Sequence, residues 1–325
     1  MADQTLVALY DDAASARQVL DELRAAGLPH DRFWISGGLR WAHNDQTFRQ
    51  VSSGAIVPPA DRPGESSEDV WTFSVSPQYH FTDDTMVYAR VATGYRPGGP
   101  NVVVPGLPAT VDADTLVNYE LGLKTRLADP ALSLDIALFR MDWDDIQVPI
   151  QSGGIGGLGN GGTARSQGIE AALVFEPAAG LELGANGAWT DSELTEDAPG
   201  VGGLDGDRLP NIPKFSGALT ASYAFRVGDR ADAQVGGGLR HVGDRFSAVE
   251  SNAFAIDVSD YAALDLNASV VIDDRFTIRA YARNLTDAGG PYSRTLVADG
   301  LNRPAYISIV PLQPRTIGLA VDVDF

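Results

Sequence analysis

From about residue 32 to the C-terminus, segments with period-two hydrophobicity are joined by connections that alternate between short and long. Five connections are tight: Thr82-Asp83-Asp84, Ala128-Asp129-Pro130, Pro177 to Gly180, Val227 to Arg230, and Asp273-Asp274. The others cover approximately 44–68, 97–114, 149–163, 192–213, 246–259 and 287–313, and are rich in Gly, Pro, Asp and Asn. Few architectures need that alternation. An antiparallel barrel that crosses a membrane has tight turns on one side and long loops on the other. A soluble β-sandwich also mixes loop lengths, but has no reason to alternate them.

Side chains of a strand point to opposite faces with period two. Trp71, Phe73, Val75, Tyr79 and Phe81 oppose Thr72, Ser74, Ser76, Gln78 and His80. Val117, Tyr119, Leu121, Leu123 and Leu127 oppose Asn118, Glu120, Lys124 and Arg126. The same pattern runs through 275–283 and 315–325, and more weakly through 33–42, 86–96, 168–176, 181–191, 214–226, 231–243 and 261–272. In 131–148 the apolar phase shifts between Leu138 and Phe139, which a bulge would explain. The reading is all-β: an antiparallel transmembrane β-barrel of about twelve strands, partial or self-closed. An even count lets such a sheet close.

Alternation alone does not separate a lipid-facing wall from a sandwich face. Two features favour the barrel. Aromatics stand at strand ends (Trp71, Phe81, Tyr95, Trp143, Trp189, Tyr223, Tyr261), where an interfacial girdle would sit. Small residues recur on the apolar face (Gly37, Ala89, Gly187, Gly217, Gly237), which suits a wall against lipid better than an interlocking core. On the polar face Arg90, Arg96, Glu120, Lys124, Arg240 and Arg279 are candidates to line a wet lumen.

Composition narrows the partners. The chain has 325 residues and a formal net charge of −19, which argues against a nucleic-acid partner. It has no cysteine, consistent either with passage through an oxidising compartment or with simple absence of need. No apolar run is long enough for a transmembrane helix, a test that barrel strands escape. Residues 1–31 differ from the rest. Thr5 to Tyr10 reads as a strand, and Asp11 or Asp12 caps a helix from about Ala13 to Ala26, ended by Gly27. This soluble βα segment is a possible fusion to the barrel portion at 32–325, and resembles the opening of small ferredoxin-like domains of bacterial general-stress proteins. Met1 to Leu6 lacks the basic and apolar regions of a signal peptide.

Catalytic patterns are weak. Gly154 to Gly159 fits GxGxxG, but a dinucleotide site needs it between a strand and a helix, and a flexible loop is expected here. His30, His43, His80 and His241 lack zinc-site spacing. The acidic groups Asp142/Asp144/Asp145, Glu193/Glu196/Asp197 and Asp205/Asp207 read as solvated loop acids, and Asn284-Leu285-Thr286 is a sequon by pattern only. No enzyme activity, cofactor or metal is expected.

Five internal motifs carry a family resemblance: Gly94-Tyr95-Arg96-Pro97-Gly98-Gly99-Pro100-Asn101, Tyr119-Glu120-Leu121-Gly122-Leu123-Lys124, Trp143-Asp144-Asp145-Ile146-Gln147, Arg208-Leu209-Pro210-Asn211-Ile212-Pro213-Lys214, and Arg283-Asn284-Leu285-Thr286-Asp287. With the closing strand 315–325, they make the stretch from about Phe33 resemble the C-terminal part of the barrel of TonB-dependent outer-membrane receptors. The resemblance implies a 22-stranded barrel around a plug, an outer-membrane location, and TonB-driven uptake of iron chelates, cobalamin or carbohydrates. It also implies that Val321, Val323 and the terminal Phe325 form the signal read by the barrel-assembly machinery. The plug, the TonB box and about ten strands of the family pattern are missing from this sequence, so the TonB complex is expected as a partner only where a plug is supplied. Outer-membrane lipid is the other expected partner. A passive pore of about twelve strands and a soluble β-sandwich binding module stay open as alternatives.

Overall fold

The computed structural model describes residues 32–54, 59–101, 104, 106–128 and 131–323. The βα segment expected at 1–31 and the terminal Phe325 lie outside them. Twelve strands form one antiparallel sheet in which each pairs with its neighbours in sequence. They are β1 (Phe33–Ser52), β2 (Ala60–Thr82), β3 (Thr85–Arg96), β4 (Asp114–Ala128), β5 (Ala131–Asp144) and β6 (Ala164–Ala178). Then come β7 (Leu181–Leu194), β8 (Phe215–Val227), β9 (Ala231–Val242), β10 (Tyr261–Ile272), β11 (Phe276–Arg283) and β12 (Thr316–Val323). Among the described residues no ladder joins β1 to β12, so the sheet is open. Of the partial and self-closed forms, this is the partial one.

The tight turns gather at one end, where Asp273 and Asp274 both take a φ of 53° and Gly180 one of 78°. Residues 44–68, expected as a loop, are instead mostly ladder. The β1–β2 pairing runs from Phe33 opposite Tyr79 to Ser52 opposite Ala60. Polar residues occupy both faces of its far half, so no hydrophobic alternation betrays the strands. Cross-strand pairs hold them instead: Arg49 Nε donates to Asp61 at 2.7 Å, and His43 meets Asp69 at 3.1 Å.

Register carries each face unbroken across the sheet. Ala89, Leu121 and Leu138 lie opposite one another in succession, as do Ala185, Leu219 and Leu239. No second sheet covers this apolar face: Trp71 is 63% exposed, Leu219 57% and Leu319 71%. That excludes the sandwich, whose core would bury these side chains. The buried core lies instead among the long loops, where Ile146, Val148, Leu194, Val201, Leu209 and Val249 pack together.

The aromatic girdle is partly as expected. Trp41 and Trp71 face each other, with ring centroids 6.5 Å apart, and Tyr223 and Phe225 stack at 5.3 Å towards the tight-turn end. Trp143 and Tyr261 depart from the expectation. Their positions fall on the polar face, where Trp143 packs against the loop core and Tyr261 is buried beneath Arg240. A place at a strand end does not reveal a side chain's face; the parity of the register does. The bulge expected near Leu138 is also absent, because the ladders on both sides of β5 run without a shift there.

Candidate functional site: a polar wall under a loop cap

The ladders put Arg90, Arg96, Glu120, Lys124, Arg240 and Arg279 on one face, opposite to the apolar one. They do not form one cluster. Arg90 stands directly across from Glu120. Glu120 accepts from Tyr88 Oη at 2.5 Å and from Asn118 Nδ2 at 3.3 Å. Lys124 reaches Asp135 at 3.5 Å and sits 5.9 Å from the Tyr88 ring centre. Five strands on from Lys124, the Arg240 guanidinium lies over Tyr261 at 5.6 Å, and on β11 Arg279 pairs with Asp322 at 3.0 Å.

Apart from Lys124, sequence reasoning missed the polar residues that give this wall its shape. Tyr88, Lys124, Asp135, Glu170, Asn186 and Ser216 line a cleft of about 390 Å³. Asp135 was hidden in the segment of mixed phase. Tyr88 lies over Gly122 across the ladder, Phe139 over Gly168, and Tyr281 over Gly318. Each ring covers a backbone that has no side chain of its own. Phe139 therefore explains the shifted phase: it is an apolar residue required on the polar face.

Arg96 belongs to the cap more than to the wall. Its Nε donates to Asp114 Oδ2 at 3.0 Å and its Nη2 to the Gln147 carbonyl at 2.8 Å, while Gln147 N donates to the same Asp114 oxygen at 3.0 Å. The Asp114 side chain is almost wholly buried. The loop after Arg96 is a hub. Gly98 N donates to Glu68 at 2.9 Å, Gln46 donates to the Gly98 carbonyl at 3.2 Å, and Leu158 N donates to Asn101 Oδ1 at 3.0 Å. The other motifs serve the same cap. Leu209 and Ile146 enter its core, and Arg208 binds Asp244 at 3.0 Å. Buried Asn284 brackets its turn by donating to the carbonyls of Ala288 and Gln313 and accepting from Ala288 N. Its amide is thereby occupied, and the sequon pattern marks a turn lock.

The glycine run at 154–159 is not a flexible loop. Gly153 and Gly154, at φ 58° and 79°, make the turn of a hairpin between Gln147–Ser152 and Ile155–Asn160. Glycines at both central positions suit a two-residue hairpin turn. The loop acids are likewise committed. Asp142 pairs with Arg140 and Arg165, Glu196 accepts from Thr163 N, and buried Asp207 accepts from Ser251 Oγ at 2.8 Å. Among the described residues no three His, Asp or Glu side chains converge to hold a metal ion.

The hairpin Pro291–Ala298/Pro304–Pro311 is closed by Asp299, which accepts from the backbone N–H groups of Leu301 and Arg303 at 2.9 Å and from Arg303 Nη2 at 2.7 Å. These bonds, the Arg303 side chain foremost, hold its pKa down to about 2. A depressed carboxylate stabilises above its unfolded pKa and loses that contribution as pH falls through the folded value. Protection of the 301 and 303 amides, taken against the unstructured exchange rate at each pH, is therefore expected to hold from neutral pH down to about 4 and to fall towards pH 2. Asn at 299 should remove that dependence.

Val321 and Val323 lie on the apolar face, opposite Ile278 and Phe276. No helix among the described residues is long and apolar enough to cross a membrane, which says nothing about strands.

Comparison with known proteins bears on this geometry. Residues 20–285 match the family described as TonB dependent receptor-like, beta-barrel. The pesticin receptor of Yersinia enterocolitica is 29% identical over 303 residues, covering 91% of this chain and 42% of that receptor. The metal-pseudopaline receptor of Pseudomonas aeruginosa is 26% identical over 282 residues, covering 87% and 36%. The crystal structure of the ferric yersiniabactin uptake receptor FyuA from Yersinia pestis superimposes with a TM-score of 0.73 at 27% identity, covering 91% of this chain and 43% of that one. The chain thus spans about two fifths of the length of the curated relatives it matches.

Proposed function

The chain belongs to the TonB-dependent receptor β-barrel family, and from that premise we propose that it is the wall of an outer-membrane receptor for uptake of a metal chelate. The observation that carries this is the separation of faces: the apolar rows lie uncovered while the opposite wall carries paired charges beneath packed loops. Lipid satisfies the first face and water the second. The relatives named for siderophore or metal receptors support the ligand class. Substrate is received at the loop cap and passes along the wall of Arg90, Glu120, Lys124, Arg240 and Arg279. In this family coupling to TonB runs through a plug, so the TonB complex is a partner only where a plug is seated against this wall. The free edges of β1 and β12 are met by further receptor strands, because unpaired backbone in lipid is costly. The closing strand, with Val321, Val323 and Phe325, is the part read by the assembly machinery.

The chain has no native cysteine, so single cysteines test the faces directly. In membranes, Arg240→Cys and Arg279→Cys are expected to react with an aqueous maleimide at least about tenfold faster than Leu121→Cys and Leu219→Cys. Equal rates on both faces would sink the proposal.

A further inference from the structure

The apolar face is not uniform. Across β8 to β12 it holds a recess of about 810 Å³. Its floor is Ala268 and Ala280, which lie opposite each other in the β10–β11 ladder, and Gly237 on the diagonal beside Ala268, with side chains too small to fill the wall. Leu219, Val235 and Leu266 rise around it. Below it on β11 come Ile278 and Phe276, and then Arg275 in a tight turn. The Arg275 guanidinium lies over the Phe276 ring at 5.6 Å and has no ion pair among the described residues. A cation is thus held on the outer side of an exposed ring, at the end of the sheet where tight turns face the periplasm.

We propose that this recess is a binding site for one phospholipid of the periplasmic leaflet, with an acyl chain along the floor and its phosphate at Arg275. The inference rests on the lipid-facing reading of the apolar face and goes beyond it, because it assigns a retained lipid to one place. Three observations favour this occupant. The recess is continuous with the apolar band. On β11 the recess covers Ala280 to Ala282, and Ile278 and Phe276 continue its apolar row towards Arg275, so that Phe276 to Ala282 spans about 20 Å of strand, at the usual tilt about half of a ~30 Å hydrocarbon core. The charge of Arg275, at the lower end of the apolar row that continues from the recess, complements a phosphodiester.

The test is phospholipid retained by the folded full-length chain, extracted in mild detergent, exchanged into a delipidating one, supplied with phosphatidylglycerol and read by native mass spectrometry. Wild type is expected to keep one phospholipid. The filling variant Ala268→Leu/Ala280→Leu and, separately, Arg275→Gln are expected to lower its occupancy about tenfold. Ala89→Leu, on the same face but outside the recess, should not change it. Arg275→Gln leaves the wall packing intact, so the test stands if the filled variant does not fold. Unchanged occupancy in both variants, no retained lipid in folded wild type, or a second copy cross-linked over the recess would each overturn the site. Partition of the wild-type chain into detergent-free water would instead overturn the lipid-facing reading itself.

Discussion

Replacing Asp114 by Ala is expected to unfasten the loop cap while leaving the sheet paired. One buried carboxylate oxygen of Asp114 gathers the Arg96 Nε, the Arg96 Nη2 and the Gln147 backbone N–H. Removing it leaves a backbone donor unpaired in a buried place and a guanidinium without its counter-charge. Breaking a fully buried pair this way costs about 3–5 kcal/mol. Arg96 is half in water and recovers part of the loss, so about 2–4 kcal/mol is the expected cost. Asn at the same position keeps an acceptor and should cost about half as much. The damage should be local, because Arg96 and Asp114 are the last pair of the β3–β4 ladder, and the bond set ties that end of the sheet, where 97–113 leaves it, to Gln147 at the start of the hairpin at 147–160. In the folded protein in detergent, protease should cut within those loops much faster in Asp114→Ala than in wild type, with β4 and β5 still protected. Cleavage at the wild-type rate would refute a fastening role for Asp114.

That knot also shows where the sequence was readable. The twelve strands were legible wherever one face meets lipid, because hydrocarbon imposes strict alternation on rows such as Trp71, Phe73 and Val75. Beyond the membrane the constraint lapses. The far half of the β1–β2 hairpin is paired throughout but polar on both faces, so it read as loop. The internal motifs were visible as patterns, but their purpose was not. Arg96 looked like one more lumen arginine, since nothing in the spacing tells that Asp114 and Gln147 meet it from two later segments. Trp143 and Tyr261 looked like girdle aromatics because strand ends are easy to place and side-chain parity at those ends is not. The cleft residues that were missed, Tyr88, Asp135 and Glu170, are brought together by the pairing of β3 through β6, and no local signal marks such an encounter.

A methyl group added at Gly168 is expected to be among the costliest small changes within the strands of the sheet. Gly168 stands in the ladder between Phe139 and Thr190, under the Phe139 ring. A Cβ there would overlap the backbone carbonyl oxygen of Trp189 and come within 3.0 Å of Phe139 Cζ and 3.1 Å of Thr190 Cα. The ring can swing aside, but a carbonyl fixed in the ladder between β6 and β7 cannot, so two strands must part. Overpacking costs about 1–3 kcal/mol where side chains can yield. Gly168→Ala should exceed about 3 kcal/mol, with Val worse, because the obstacle is backbone. Gly122 supplies the contrast. The atoms nearest to a Cβ at that position all belong to the Tyr88 ring, the mobile end of a side chain. Gly122→Ala then gives up the ring's cover and its 2.5 Å bond to Glu120, about 1–2 kcal/mol. Urea unfolding midpoints of the two alanine variants in the same detergent decide the matter. If Gly122→Ala is as damaging as Gly168→Ala, both positions report merely the loss of a flexible glycine, and the close backbone approach at Gly168 has no special weight in holding β5, β6 and β7 in register.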